Sequence, residues 1–137
     1  MRAAIPPASS RKTPASRRLA VLAARAADAK QARDVVVLDV KALLVITDYF
    51  VIASGATVRQ VKAIADAIEE ELGKAGSRPV RREGERELRW LLLDFVDLVV
   101  HAFLQEEREF YELERLWSDA PRVAWAARPA ARRRAGS

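Results

Sequence analysis

WLLLDFVDLVVHAFLQEEREFYELERLW, residues 90–117, holds the longest apolar runs of the chain, two of its three tryptophans and its single histidine. Trp90–Asp94 and Asp97–Leu104 are short and rich in Leu, Val and Phe. Only Phe95-Val96 separates them, so an antiparallel hairpin is the simplest reading. With those two residues as the loop, Asp94 faces Asp97, Leu93 faces Leu98, Leu92 faces Val99, Leu91 faces Val100 and Trp90 faces His101. Side chains alternate along a strand, so the hairpin has two unlike sides. One carries Leu91, Leu93, Leu98, Val100, Ala102 and Leu104 and is wholly aliphatic, as a core requires. The other carries Trp90, Leu92, Asp94, Asp97, Val99, His101 and Phe103. A large aromatic, carboxylates and an imidazole among aliphatics suit an interface better than a sealed interior.

Blander readings apply to the same residues. Acidic side chains flank turns for local hydrogen-bonding reasons, and a lone strand histidine is more often structural than a ligand or base. Phe95-Val96 also supplies no Gly or Asn for a primed turn, which implies a longer or strained loop. Neither point alters the alternation within each strand.

After the hairpin, Glu106–Trp117 reads as a helix with Phe110, Leu113, Leu116 and Trp117 as its apolar stripe and an Arg108–Glu112 surface pair. Before it lie the turn residues 83–87 and a strand over Arg78–Glu83. Further upstream, Thr57 to Gln60 has the capping-box form, and Val61, Ile64, Ala65, Ile68 and Leu72 follow at helical spacing up to the terminator Gly76. Tyr49–Ser54 and Asp34–Lys41 read as strands, joined through residues 42–48. The valine run of Asp34–Lys41 suggests cover on both faces. Ser16 is placed to cap a first helix running to about Arg33. The segment 54–60, SGATVRQ, has one glycine and no phosphate-loop spacing, so nucleotide binding finds little support. These elements predict an α/β (α+β) fold, a single mixed five-stranded sheet with helices mainly on one face. The uncovered face is left for a partner.

Charge is distributed unevenly. Residues 1–27 hold six basic and no acidic residues, and residues 121–137 hold five basic and none acidic. Thirteen of the 24 basic residues remain in 28–120 against all 19 acidic ones, a net of −6 inside a chain of net +5. An acidic domain, 16–120, between a basic tail at 1–15 and another at 121–137 suits a basic protein partner, with the tails free to touch phosphates. Residues 1–15 also have the composition of an organellar transit peptide. Trp125 stands alone in the second tail, either packed back or exposed. The absence of cysteine excludes disulfides and thiolate sites, and no uncharged apolar run approaches the ~20 residues of a membrane span.

Several stretches together, ITDYFVIASG (46–55), RQVKAIAD (59–66), EG followed by Trp90, LLLD-x-x-D-x-VVH (91–101) and FYELERLW (110–117), resemble the ribosomal silencing factor, or Iojap, family. The likeness covers about 34–120 in order and spacing. It implies a fold similar to nucleotidyltransferases without their catalytic motif, no enzymatic activity and no cofactor or metal. It also implies binding to the fourteenth protein of the large ribosomal subunit on the face that meets the small subunit. Occupying that face would block subunit joining and repress translation when nutrients are short; a role in late large-subunit maturation is associated as well. By this resemblance Trp90 matches the partner-binding tryptophan, and Asp94, Asp97 and His101 match the D-x-x-D-x-x-x-H pattern. Thr47, Asp48, Arg59, Arg108 and Tyr111 fall on further motif positions. The implied place of work is the cytoplasm, or the mitochondrial matrix if 1–15 is a transit peptide. Members usually carry Gly where this chain has Val96, often Ser in the stretch Leu44-Val45, and Ser where Glu87 stands.

Two other classes of function compete. A metal-dependent nucleotidyl or phosphoryl transferase would use Asp94, Asp97 and Asp48, converging on two ions. An RNA-binding module would work through the basic tails. A homodimer of the free protein is a further expectation.

Overall fold

The computed structural model describes residues 15–111, 115 and 118–126. Helix α1 (Ala15–Ala29) leads to strands β1 (Arg33–Asp39) and β2 (Tyr49–Gly55), then helix α2 (Val58–Lys74). Strands β3 (Arg81–Glu83), β4 (Trp90–Asp94) and β5 (Leu98–Leu104) follow, and helix α3 (Gln105–Tyr111) is next. The strands form one sheet in the order β1-β2-β5-β4-β3. β2 and β5 are parallel, and the other neighbours are antiparallel. The expected mixed five-stranded sheet is what the chain forms.

Helix α2 begins as its sequence predicts. The Thr57 hydroxyl accepts the Gln60 N–H at 3.1 Å, and the Gln60 carboxamide oxygen accepts the Ala56 N–H at 2.7 Å. It ends with Gly76 at φ +89° and the Ser77 N–H on Leu72 O at 2.9 Å, which satisfies a last-turn carbonyl. Its buried stripe, Val61, Ile64, Ala65, Ile68 and Leu72, packs with the alanines of α1 on Tyr49, Val51, Ala53, Leu91, Leu93, Leu98 and Val100. Each fully buried aliphatic here is worth ~1.5–3 kcal/mol. This is the aliphatic side of the hairpin, and it does form the core.

The hairpin register differs from the one expected. Trp90 pairs with Phe103, Leu91 with Ala102, Leu92 with His101, Leu93 with Val100 and Asp94 with Val99. The Phe95 N–H donates to Leu98 O at 2.8 Å, so the turn is Val96-Asp97 rather than Phe95-Val96. Val96 stands at φ +78°, and the Asp97 N–H returns to Phe95 O at 3.0 Å. The Asp94 carboxylate accepts the Val96 N–H at 2.8 Å. This local bond and the left-handed backbone close a tight turn that the residue types do not advertise. The shift is two residues, so every side chain keeps its face.

Three boundaries also differ from expectation. α1 stops at Ala29, with the Ala32 N–H on Ala27 O at 3.1 Å, and Ser16 is buried inside the helix rather than capping it. β3 shrinks to Arg81–Glu83. At the sheet edge, Leu38 of β1 bridges Arg122, the Val123 N–H reaches Val37 O at 2.9 Å and the Trp125 indole N–H reaches Val35 O at 3.0 Å. Trp125 therefore packs back, and the exposed polar edge of β1 is partly covered. The helical stripe beyond 111, the Glu112 pair and the tail residues 1–14 and 127–137 lie outside the described residues.

Candidate partner-binding face

The side of the sheet turned away from α1 and α2 carries a second apolar cluster of Leu38, Val40, Phe50, Ile52, Phe103 and Ala120, with Val36, Leu44, Trp90 and Val99 packed against it. Strand pairing sets its rows. Trp90, Phe103 and Ser54 lie across one end, Leu92, His101 and Ile52 across the middle, and Asp94, Val99 and Phe50 toward the other end.

Trp90 is half-buried. Its ring packs on Phe103 with centroids 4.6 Å apart, and its indole N–H donates to His101 Nδ1 at 3.1 Å. His101 in turn meets Phe50 edge-on at 4.8 Å. Only 6% of His101 is exposed, and burial pushes its pKa down to about 4. The ring is therefore neutral at pH 7. Because Nδ1 accepts the indole proton, the ring proton sits on Nε2, which has no hydrogen-bond partner among the described residues. His101 is thus a support beneath Trp90 rather than part of the exposed surface. A second support is backbone. Gly84 has φ +92°, and a Cβ there would overlap the Trp90 carbonyl oxygen, so only glycine lets the 84–88 turn close against β4.

The carboxylates that share this side with Trp90 do not lie beside it. Asp94 lies four residues further along β4, roughly 13 Å away at strand rise, with half-buried Leu92 between them. It is tied to Arg81 at 2.8 Å and to the turn amide. Asp97 is exposed, and its carbonyl accepts the Asp48 and Tyr49 N–H groups at 3.0 and 3.2 Å. Burial, and then the Asp97 charge, raise the Asp48 carboxyl above its ordinary range. No group of three or more His, Asp or Glu is placed to hold a metal among the described residues.

The remaining candidates scatter. Thr47 is 3% exposed, and its hydroxyl has no partner among the described residues. Arg59 is exposed in the first turn of α2, in the helical layer. Arg108 is buried at the Trp90 end of the sheet but on its β1–β2 side, where it donates to Ser54 Oγ at 2.7 Å and to Arg33 O at 3.3 Å. The Tyr111 side chain lies outside the described residues. Sequence reasoning missed the supports Phe50 and Gly84. The EG pair ahead of Trp90 was the available signal for Gly84, while Phe50 looked like one more strand hydrophobe.

A family model described as ribosomal silencing factor during starvation matches residues 13–137. The chain belongs to the ribosomal silencing factor family. The silencing factor of Bacillus subtilis is 43% identical over 100 residues, covering 73% of this chain and 85% of the relative. A mouse protein named mitochondrial assembly of ribosomal large subunit protein 1 is 40% identical over 92 residues, covering 65% of this chain and 40% of the relative. A crystal structure from Chromobacterium violaceum has a TM-score of 0.73 at 31% identity, covering 84% of this chain and 95% of that chain. In this member of the family the tryptophan and the D-x-x-D-x-x-x-H residues belong to one hairpin, but they occupy different depths. Trp90 is half-buried, Asp97 exposed and His101 buried.

Proposed function

We propose that the protein binds the large ribosomal subunit through its fourteenth protein and sterically blocks joining of the small subunit, repressing translation under nutrient limitation. The same occupancy, on an incomplete particle, would assist late large-subunit maturation. The observation that carries the reading is a half-buried Trp90, pre-oriented by His101 and Phe103, at the rim of the sheet face opposite α1 and α2, where Phe50, Ile52 and Phe103 are themselves buried beneath it. A large aromatic already held in its rotamer adds contact area at little ordering cost, which is how interface anchors work. The net −6 of residues 28–120 steers this face toward a basic ribosomal protein. The basic tails add salt-dependent contact with ribosomal RNA. No chemistry is needed, because the occupied surface is itself the block. This work belongs in the cytoplasm, or in the mitochondrial matrix if residues 1–15 are a transit peptide.

The test is co-sedimentation with purified large subunits, with small subunits added as competitors. Wild-type protein should pellet with large subunits and reduce joining. Trp90→Glu, shown by its melting curve to be folded, should bind at least ~30-fold more weakly. Wild-type affinity in that folded variant would refute the site.

A further inference from the structure

A feature outside the Trp90 cluster calls for an occupant. Between β1 and β2 the chain exposes Leu43, Val45 and Ile46, at 43%, 102% and 80% of their surfaces. Val96 of the β4–β5 turn adds a further aliphatic at 52%. The loop and the turn are joined, since Asp97 O accepts the N–H groups of Asp48 and Tyr49. Scattered exposed aliphatics need no explanation, but a run of them at one end of a sheet marks a contact surface.

The loop is held, not loose. The Leu43 and Leu44 N–H groups both reach Val40 O, at 2.9 and 2.8 Å, and the Val40 N–H reaches Asp48 O at 2.9 Å. Leu44 packs into the front cluster and Thr47 is buried, so both flanks of the tip are anchored. Val45-Ile46 therefore projects as a fixed apolar finger whose burial against a partner would cost little ordering entropy.

The charges beside it indicate the partner. Asp39 pairs with Lys41 and Asp94 with Arg81, but neither Asp48 nor Asp97 is in an ion pair among the described residues. Burial and then the Asp97 charge raise the cost of ionising Asp48, and a Lys or Arg from outside would offset it. An apolar tip beside two acids outside any ion pair is complementary to a basic protein surface with an aliphatic pocket, and unlike what a phosphate backbone would choose.

We propose that Val45 and Ile46, with Val96 and the Asp48/Asp97 carboxylates beside them, form a second anchor for the same basic large-subunit protein, at the opposite end of the sheet from Trp90. This rests on the proposed function and gives it a two-point footprint. Two separated anchors fix the rotation of the bound protein, which a single tryptophan cannot do, and a steric block depends on that rotation.

The test is the double variant Val45→Ser, Ile46→Ser, in full-length protein, measured for large-subunit affinity, melting temperature and free-state mass by sedimentation. Both tips are solvent-exposed, so the melting temperature should hold. Affinity should fall roughly tenfold or more, and residual binding should inhibit subunit joining less well at equal occupancy. Unchanged affinity while Trp90→Glu abolishes binding would overturn the second anchor alone. Unchanged affinity in both would overturn the proposed function as well. A change confined to free-state mass would assign the finger to self-association and refute the proposal.

Discussion

Acidification from pH 7 to pH 5 should cost about 2 kcal/mol of folding stability, through one residue. His101 has an ordinary value of 6.5 and is pushed down to about 4 in the folded chain by burial. Its neutral form is the one the fold accepts. The associated stability is complete above the unfolded value of 6.5 and is lost as the pH falls toward about 4. Within that window the slope approaches about 1.4 kcal/mol per pH unit, the free energy of a tenfold change in proton affinity. Protonation would also remove the Nδ1 lone pair that accepts the Trp90 indole, so the loss should be felt at the binding face. The attribution is unusually clean because the chain has a single histidine. At Asp66, burial is outweighed by hydrogen bonds from Lys62 and Arg82, so its contribution disappears only at lower pH. Asp48, raised by burial and by Asp97, works in the opposite sense as the solution becomes acidic enough to protonate it. Urea midpoints at half-unit steps from pH 7 to 5, followed by tryptophan fluorescence, would measure the effect. His101→Gln keeps an acceptor near the indole and does not titrate, so its stability should be nearly flat over the same range. A wild-type loss below ~0.5 kcal/mol, or an equal slope in His101→Gln, would refute the argument.

Two further outcomes follow from backbone geometry. Val96 holds φ +78° in a tight turn, a conformation that costs a β-branched residue ~1–3 kcal/mol, while glycine costs ~0.5–1 in the unfolded chain. Val96→Gly should therefore stabilise by about 1 kcal/mol and raise the melting temperature, with Val96→Ala gaining less. At Gly84, φ +92° combines with the overlap of any Cβ on the Trp90 carbonyl, so Gly84→Ala should lose more than ~2 kcal/mol and shift the Trp90 indole N–H resonance. An unmoved resonance in a folded Gly84→Ala protein would show that the turn does not position Trp90.

Much of this was legible because periodicity reports burial directly. The helix of Val61, Ile64, Ile68 and Leu72 is where its spacing predicts, and Leu91, Leu93, Leu98 and Val100 do face the helices. The hairpin register was not legible. A turn of Val96-Asp97 contradicts turn propensity, and only the Asp94 carboxylate and the pairing beyond it hold it in place. Sharing a face also did not mean sharing a site: strand rise separates Trp90 from Asp94 along β4.

The sequence by itself determined the two unlike faces of the hairpin, the mixed sheet and the family, since alternation and helical spacing survive an even shift in register. Tertiary structure alone decided which residues of the mixed face meet solvent. His101 is buried because β2 lies parallel beside β5 and brings Phe50 against it, while Val45 and Ile46 are exposed because their loop is pinned at both flanks. Burial belongs to the neighbours a side chain meets across the sheet, and those neighbours come from distant parts of the chain that no local pattern can align.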